Sequence, residues 1–249
     1  MNSFFSSALF TTLLNAWGAI IPIIYFPVFF TKSSKLADHG AKVWAIGVLW
    51  MLKNLCKIDY RVIGLEKLPK EACIIACKHQ SAWETIVMHL ILDRPVYAFK
   101  KELLKIPFYG WYLTSMSGIA VDRNGGASAL KNLIKQTKKY LENGQSIVLF
   151  PQGTRVPVGD STEKYPYQAG VTALYLACQT KVVPMALNSG IFWSKNKFLK
   201  QSGTITLEIL DAIEPGLSKQ EFASALEQAI EKSSEELAKF NTHKSNEGK

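Results

Sequence analysis

The chain opens with an apolar segment that has no charged residue between Met1 and Thr31. Residues 8–30 read ALFTTLLNAWGAIIPIIYFPVFF. As one helix they would extend about 34 Å, enough to cross a hydrocarbon core of roughly 30 Å. No lysine or arginine precedes the run and no A-x-A-like cleavage site follows it, which argues against a signal peptide. Pro22 and Pro27 would kink a spanning helix, so a partly embedded segment is equally consistent with this pattern.

A second helical pattern follows, and lysines flank it. Apolar residues recur at helical spacing from Trp44 to Leu55, and residues 1–57 contain five lysines against one acidic residue, Asp38. Lysine side chains can extend to lipid headgroups, and a basic flank indicates the cytoplasmic side of a membrane. We therefore interpret residues 1–57 as a membrane-anchoring helical pair. A helical hairpin buried in a protein core is the alternative.

From residue 58 onwards, apolar runs of strand length alternate with helical patterns. Seven runs predict strands, at 58–63, 72–77, 96–99, 119–121, 146–150, 182–187 and 204–210. The clearest helical patterns cover residues 129–143, a stretch after Gln168, and a stretch that begins near Ser218, where Glu221 completes a capping box. This alternation predicts an α/β domain over residues 58–249, with a mixed, largely parallel central sheet flanked by helices.

Composition and charge narrow the class of protein. The chain has 249 residues, of which 48% are apolar and 11% aromatic, so it is not intrinsically disordered and can bury a large core. Its net charge of +9 favours an anionic partner. The basic residues form no recognised nucleic-acid-binding motif, so we expect no nucleic-acid partner. The four cysteines include no C-x-x-C pair and lie near no histidine cluster, so we expect free thiols and no metal site.

Polar and basic residues follow three of the predicted strands. His79 comes after ACIIAC, Arg155 after IVLF, and Arg123 after IAV. The carboxyl ends of parallel strands meet at one edge of a sheet, where ligands bind. We therefore expect these three side chains to lie near one another. Together with Lys100 and Lys101, which follow the run VYAF, the two arginines supply cations for a phosphate.

The segment KHQSAWET, residues 78–85, carries the candidate chemistry. Ser81 and Glu84 have the spacing of a capping box, so in the simplest interpretation Glu84 only caps a helix. Across a junction between a strand and a helix, however, its carboxylate could also meet His79. A carboxylate bonded to one ring nitrogen would fix the tautomer and leave the other nitrogen free as a base.

Several segments resemble the motifs of the glycerolipid acyltransferase family. KHQSAWE is similar to its H-x4-D motif, and FPQGTR (150–155) is similar to its F-P-E-G-T-R motif. GIAVDR (118–123) and VPMALNSG (183–190) resemble its second and fourth blocks, and KKELLKIPFYGW (100–111) resembles the segment between the first two. The blocks occur in the family's order and cover about residues 58–215. In that family an N-terminal helical pair embeds in the membrane.

The resemblance implies acyl transfer from acyl-CoA or acyl carrier protein to the sn-2 hydroxyl of lysophosphatidic acid, without a further cofactor or an acyl-enzyme. His79 would be the general base, and Glu84 would orient it. The residues implied to hold the acceptor phosphate or to shape its site are Lys100, Lys101, Arg123, Gln152, Gly153, Thr154 and Arg155. Pro184 belongs to the block associated with structure or donor binding. The resemblance further implies the cytoplasmic face of a bacterial inner membrane, with membrane lipids as partners.

Two departures from the family pattern keep alternatives open. Glu84 stands where the pattern has Asp, and Gln152 stands where it has Glu, which removes a negative charge beside the expected phosphate. The acceptor could therefore be another lysolipid, such as a lyso-ornithine lipid. The chain could also be a non-catalytic, membrane-bound lipid-binding module. A hydrolase is a third class, although the chain contains neither a G-x-S-x-G nor an H-E-x-x-H motif.

Overall fold

The N-terminal part of the protein is helical. A computed structural model of the chain describes residues 3–31, 33–105, 110, 113, 118–122 and 124–246, with only the backbone described for Phe29 and for residues 241–246. Three helices precede the first strand, namely α1 (Ser3–Ile24), α2 (Val28–Thr31) and α3 (Ser34–Cys56). α1 is long and apolar enough to cross a membrane, and most of its surface is exposed.

The apolar run over residues 8–30 does not form one helix. α1 ends at Ile24, a turn follows, and α2 begins at Val28. The proline nitrogen of Pro27 cannot donate a hydrogen bond to the preceding turn, which is why a helix stops before this residue. Pro22 lies inside the last turn of α1. Of the two forms that the sequence left open for this run, the structure has the interrupted one, whereas its place in a membrane stays a prediction.

From residue 58 onwards the structure gives bounds for seven strands and five helices, and Gly110 and Leu113 are also helical. The strands are β1 (Ile58–Ile63), β2 (Ile74–Cys77), β3 (Val96–Lys100), β4 (Gly118–Val121), β5 (Ile147–Leu149), β6 (Val182–Leu187) and β7 (Gly203–Ile209). The helices are α4 (Trp83–Ile91), α5 (Gly126–Glu142), α6 (Ala169–Cys178), α7 (Ser189–Phe192) and α8 (Lys219–Asn246), with 3-10 turns at Leu65–Lys67 and Lys101–Lys105. All seven predicted strands are present. The predicted capping box before α8 is also present, since Ser218 and Glu221 each accept the other's backbone N–H.

The strands form one sheet in the order β1-β7-β6-β2-β5-β3-β4. Neighbouring strands are parallel except for the pair β6 and β7, which is antiparallel. The prediction of a mixed, largely parallel sheet is confirmed. As a consequence, β2, β3, β4, β5 and β6 all end at the same side of the sheet, which we call the carboxyl edge.

Alternate residues of each strand pack against opposite layers of helices. In β2, Ile75 and Cys77 belong to a buried cluster that includes residues of α1, α3 and α4. Ile74 and Ala76 belong to a second cluster that includes residues of α5, α6 and α8. This alternation follows from the two-residue period of a strand, and it explains why the central strands are apolar on both faces. All four cysteines are free thiols.

Close packing between α1 and α3 generates a prediction. A Cβ atom on Gly47 would lie 2.4 Å from Nε1 of Trp17, whose N–H donates to the carbonyl of Trp44 at 3.2 Å. We expect Gly47→Ala to lower the unfolding temperature in detergent, because the Trp17 ring must move and the helices must separate, at a cost of about 1–3 kcal/mol.

The matched control for this variant is Gly18→Ala. A Cβ atom on Gly18 would be 4.0 Å from its nearest neighbour, Nε1 of Trp44, which is an ordinary contact. Alanine favours a helix over glycine by about 1 kcal/mol, so this variant should be as stable as the parent protein or more stable. Equal melting temperatures for the two variants would contradict the tight contact at Gly47.

Candidate active site

His79 and Glu84 meet across the junction between β2 and α4. Nδ1 of His79 lies 2.9 Å from Oε1 of Glu84. The Glu84 side chain is fully buried, whereas 16% of the His79 side chain is exposed. Because an ionised carboxylate only accepts hydrogen bonds, we assign the proton to Nδ1, which leaves the lone pair on Nε2. The pair therefore presents a basic nitrogen at the carboxyl edge.

The Glu84 carboxylate accepts four hydrogen bonds. Besides the histidine contact, Oε1 accepts the backbone N–H groups of Gln80 at 2.6 Å and Ser81 at 2.7 Å. Oε2 accepts the hydroxyl of Ser189 at 2.8 Å. Ser81 Oγ accepts the N–H of Trp83, so the two side chains satisfy donors at the start of α4. Glu84 thus caps the helix and contacts the histidine with the same oxygen.

The loop after β5 contacts both the imidazole ring and the backbone carbonyl of His79. The ring of Phe150 stacks on the imidazole, with centroids 3.9 Å apart and planes inclined by 19°. The carbonyl of His79 accepts the N–H of Val156 at 2.7 Å. Among the described residues, none forms a hydrogen bond to Nε2. The ring is therefore positioned by stacking and by Glu84, and Nε2 is left to accept a proton from a ligand.

Ser189 is a site residue that the sequence interpretation missed. It is the first residue of α7, separated from the end of β6 by Asn188 alone, and its side chain is fully buried. Its position at the end of a parallel strand is the same signal that pointed to His79, but serine is common at such positions. Pro184, which the resemblance singled out in this block, lies inside β6, where its carbonyl accepts the N–H of Leu210.

The described members of the predicted cationic set lie at the end of β3 or directly after it, and in the loop that follows β5. Lys100 ends β3, and Lys101 follows it with its Nζ 3.6 Å from the carboxylate of Asp122. Arg155 is half-buried in the loop after β5 and forms no ion pair with any residue in the described part of the chain. The sheet order β2-β5-β3 brings these three residues to the carboxyl edge with the histidine. Arg123 lies outside the described residues.

Three predicted residues lie in the turn that follows β5. Gly153 has a φ of +67°, which favours glycine. Gln152 is buried, and its Nε2 donates to the carbonyl of Tyr165 at 2.9 Å. A glutamate could not donate this bond when ionised, which is a physical reason for glutamine at this position. Thr154 Oγ1 accepts from Nζ of Lys195 at 3.5 Å, so another lysine that the sequence interpretation missed lies at this edge.

Lys78 and Asn188, which precede His79 and Ser189 in the chain, bind α8 in the helical layer on the other face of the sheet. Lys78 is buried, and its Nζ lies 2.6 Å from both carboxylate oxygens of Glu231 in α8, which also accepts the hydroxyl of Tyr167. Burial and the Glu231 charge raise the pKa of Tyr167 well above its usual range, so its hydroxyl stays a donor. Asn188 donates to the carbonyl of Leu237, also in α8, at 3.2 Å.

Comparisons with known proteins identify the family of the chain. The family model described as Acyltransferase matches residues 59–188, a range that contains the histidine, the glutamate and the loop after β5. The chain belongs to the acyltransferase family. The resemblance inferred from the sequence motifs is thereby confirmed. Ser189 lies one residue beyond the matched range.

Two relatives carry a more specific name, and one solved structure shares the fold. A Pseudomonas aeruginosa 1-acyl-sn-glycerol-3-phosphate acyltransferase is 38% identical over 67% of this chain, and the match covers 63% of that enzyme. A Helicobacter pylori protein of the same name is 30% identical over 71% of this chain and 76% of its own length. A crystal structure of a 1-acyl-sn-glycerophosphate acyltransferase from Thermotoga maritima shares the fold, with a TM-score of 0.72 at 21% identity over 94% of this chain and 97% of that one.

The hydroxyl of Ser189 should matter to this acyltransferase through Glu84. Ser189→Ala leaves Oε2 of a fully buried carboxylate without its donor, which we expect to lower the free energy of unfolding by about 1–3 kcal/mol. Chemical denaturation of the variant measures this loss. Ser202→Ala is the control, because Ser202 is exposed. If both variants unfold at the same denaturant concentration, the contact with Glu84 contributes nothing to stability.

Proposed function

We propose that this acyltransferase acylates the sn-2 hydroxyl of 1-acyl-sn-glycerol-3-phosphate and so forms phosphatidic acid. The observation that carries the proposal is the contact between His79 and Glu84, which leaves Nε2 as a base at the carboxyl edge. The names of the relatives support this acceptor. Arg155 adds support, because it is a cation at the same edge that pairs with no carboxylate in the described residues.

In the proposed reaction, Nε2 of His79 takes the proton of the acceptor hydroxyl while the hydroxyl oxygen attacks the carbonyl carbon of a thioester. A carbon–oxygen bond forms and the carbon–sulfur bond breaks. The departing thiolate then takes the proton back from the imidazolium, so the histidine ends the cycle neutral. Glu84 stabilises the imidazolium between these two transfers. No acyl-enzyme forms, and the thioester of CoA or of acyl carrier protein is a co-substrate rather than a cofactor.

The acceptor phosphate is proposed to bind Arg155, Lys100, Lys101 and Arg123, with the turn from Gln152 to Thr154 shaping the site. Arginine can bind a phosphate through two parallel N–H groups, whereas a lysine acts as a point charge. The Lys101 charge is already partly balanced by Asp122, so Arg155 should contribute more. We further propose that α1 and the lysines near α3 hold the enzyme at the cytoplasmic face of a bacterial inner membrane.

The proposal is tested with the purified full-length chain, an acyl-CoA or acyl carrier protein donor, and a panel of acceptors. Lysophosphatidic acid should be acylated faster than lysophosphatidylcholine or a lyso-ornithine lipid. Faster acylation of another acceptor would overturn the assignment of the substrate. Thiol release at the same rate without any acceptor would indicate a hydrolase. Lipid binding without acyl transfer from either donor would indicate a non-catalytic module.

Removal of the proposed base gives a direct prediction. His79→Ala should lower kcat by a factor of about 10²–10⁴, which is the usual contribution of a general base, while membrane binding is retained. The matched control is His39→Ala, because His39 is a histidine of α3 whose Nδ1 contacts the hydroxyl of Tyr25. The acyl-transfer rates of both variants test whether His79 is the general base. Unchanged turnover in His79→Ala would refute the mechanism.

The two kinds of cation should differ in their effect on acceptor binding. Arg155→Met removes charge-assisted hydrogen bonds worth about 1.5–3 kcal/mol, so kcat/KM for lysophosphatidic acid should fall roughly tenfold to a hundredfold. Lys101→Met should have a smaller effect, because Asp122 lies beside that ammonium group. A lyso-ornithine acceptor, which lacks the phosphate, serves as the comparison. An equal fall for both acceptors would mean that Arg155 supports the fold rather than the phosphate.

A further inference from the structure

The residues between α7 and β7 connect the active site with the start of α1. We refer to residues 193–200, which read WSKNKFLK, as the bridging segment. Near its beginning, Nζ of Lys195 lies 3.5 Å from Oγ1 of Thr154 in the loop after β5. At its end, the N–H of Lys200 donates to Oγ of Ser7 in α1 at 2.9 Å. The segment therefore lies at the carboxyl edge, between the proposed phosphate site and the first apolar helix.

Lys200 connects the bridging segment to α1 through the contacts of its backbone and side chain. Its side chain is buried, its Nζ donates to the carbonyl of Phe198 at 2.8 Å, and burial lowers its pKa. The ammonium group lies 5.8 Å from the ring centroids of Phe10 and Trp193 and 5.6 Å from that of Phe198. The rings of Phe10 and Trp193 pack edge to face at 5.3 Å. A cation enclosed by aromatic rings stabilises one conformation of the segment.

The middle of the bridging segment exposes apolar side chains that continue the surface of α1. Phe198 is 47% exposed and Leu199 is 44% exposed, although both are large hydrophobic residues. Phe198 contacts Phe4 of α1, with ring centroids 5.5 Å apart, and Phe4 and Phe5 are themselves 61% and 58% exposed. An exposed apolar patch of this kind marks a surface that meets a membrane or another protein.

The charges around this patch favour a membrane. Lys195 and Lys197 are exposed and precede the two apolar residues directly in the chain. Basic residues next to aromatic and aliphatic ones suit the interface of an anionic bilayer, where the apolar groups enter the acyl region and the ammonium groups remain among phosphates. The patch is also continuous with α1, which is long and apolar enough to cross a membrane.

We propose that the bridging segment is a second membrane-binding element, in which Phe198 and Leu199 insert into an anionic bilayer beside the start of α1. The carboxyl edge is thereby held against the lipid surface, so that a lysolipid reaches the base without leaving the bilayer. The part of this inference that concerns the lysolipid rests on the proposed function. The insertion itself does not depend on it, and it can be measured without a substrate.

Insertion is measured with a fluorophore on the full-length protein. In a Cys178→Ser background, where the remaining cysteines are buried, an environment-sensitive dye is attached through Leu199→Cys or, as control, Lys70→Cys. Lys70 is exposed and lies before β2, at the opposite edge of the sheet. In vesicles of phosphatidylglycerol and phosphatidylethanolamine, brominated lipids should quench the dye at position 199 by at least about twofold more than the dye at position 70. Equal quenching would overturn the proposal.

The consequence for catalysis is measured with two acceptors. Leu199→Asp removes an inserting apolar side chain, and Lys197→Glu replaces an attraction to the anionic surface by a repulsion. Each variant should lower the rate on a long-chain lysophosphatidic acid embedded in the same vesicles on the order of tenfold. A short-chain lysophosphatidic acid dissolved as monomers should be acylated within about twofold of the parent rate. Leu65→Asp is the control, because Leu65 is 53% exposed and follows β1 at the other edge.

The other possible outcomes of the quenching and acylation experiments each support or overturn the proposal. An equal loss on both acceptors would place the bridging segment in the reaction itself and overturn its role at the membrane. A change from dimer to monomer in Leu199→Asp, measured by sedimentation in detergent, would mean that a second copy covers the patch and would also overturn the proposal. Quenching at position 199 in a parent chain that acylates neither acceptor would support insertion while the proposed function fails.

Discussion

The buried carboxylate of Glu84 is the interaction on which the site depends. It joins the end of β2, the start of α4 and the first residue of α7 through four hydrogen bonds. A charge without access to water is tolerated in a protein only when its partners are complete, so these contacts constrain one another. The imidazole consequently has one orientation, and its position is a property of the whole sheet edge rather than of a single loop.

Much of the fold could be predicted because local sequence patterns indicate where its strands and helices begin and end. β1 and β6 have the predicted bounds, since each apolar run is followed by polar or glycine residues that stop it. The contact between His79 and Glu84 was also predictable, because both residues lie in one short segment across a strand–helix junction. The membrane role of residues 1–57, the phosphate-binding residues and the acyl donor stay predictions.

Other parts of the site could not be read from the chain. Ser189 is separated from Glu84 by 105 positions, and Lys195 is 41 positions from Thr154, so only the sheet order brings them together. Hydroxyl and ammonium groups are frequent on surfaces, and nothing local distinguishes these two. The ion pair between Lys78 and Glu231 could not be predicted for the same reason. Glu231 lies far away in the sequence, in a helix whose pattern is that of an ordinary amphipathic helix.

The single antiparallel pair, β6 with β7, determines at which edge of the sheet the N-terminal helices join the domain. β1 runs parallel to β7, and its first residue, Ile58, pairs with Gly203 at the carboxyl edge. The apolar helices that precede β1 therefore join the sheet at the edge where the histidine also lies. In a wholly parallel sheet they would join at the opposite end of the strands, about 20 Å away. One reversal of strand direction thus places the proposed membrane anchor and the proposed base at the same edge, so that the proposed lipid substrate would not have to cross the domain.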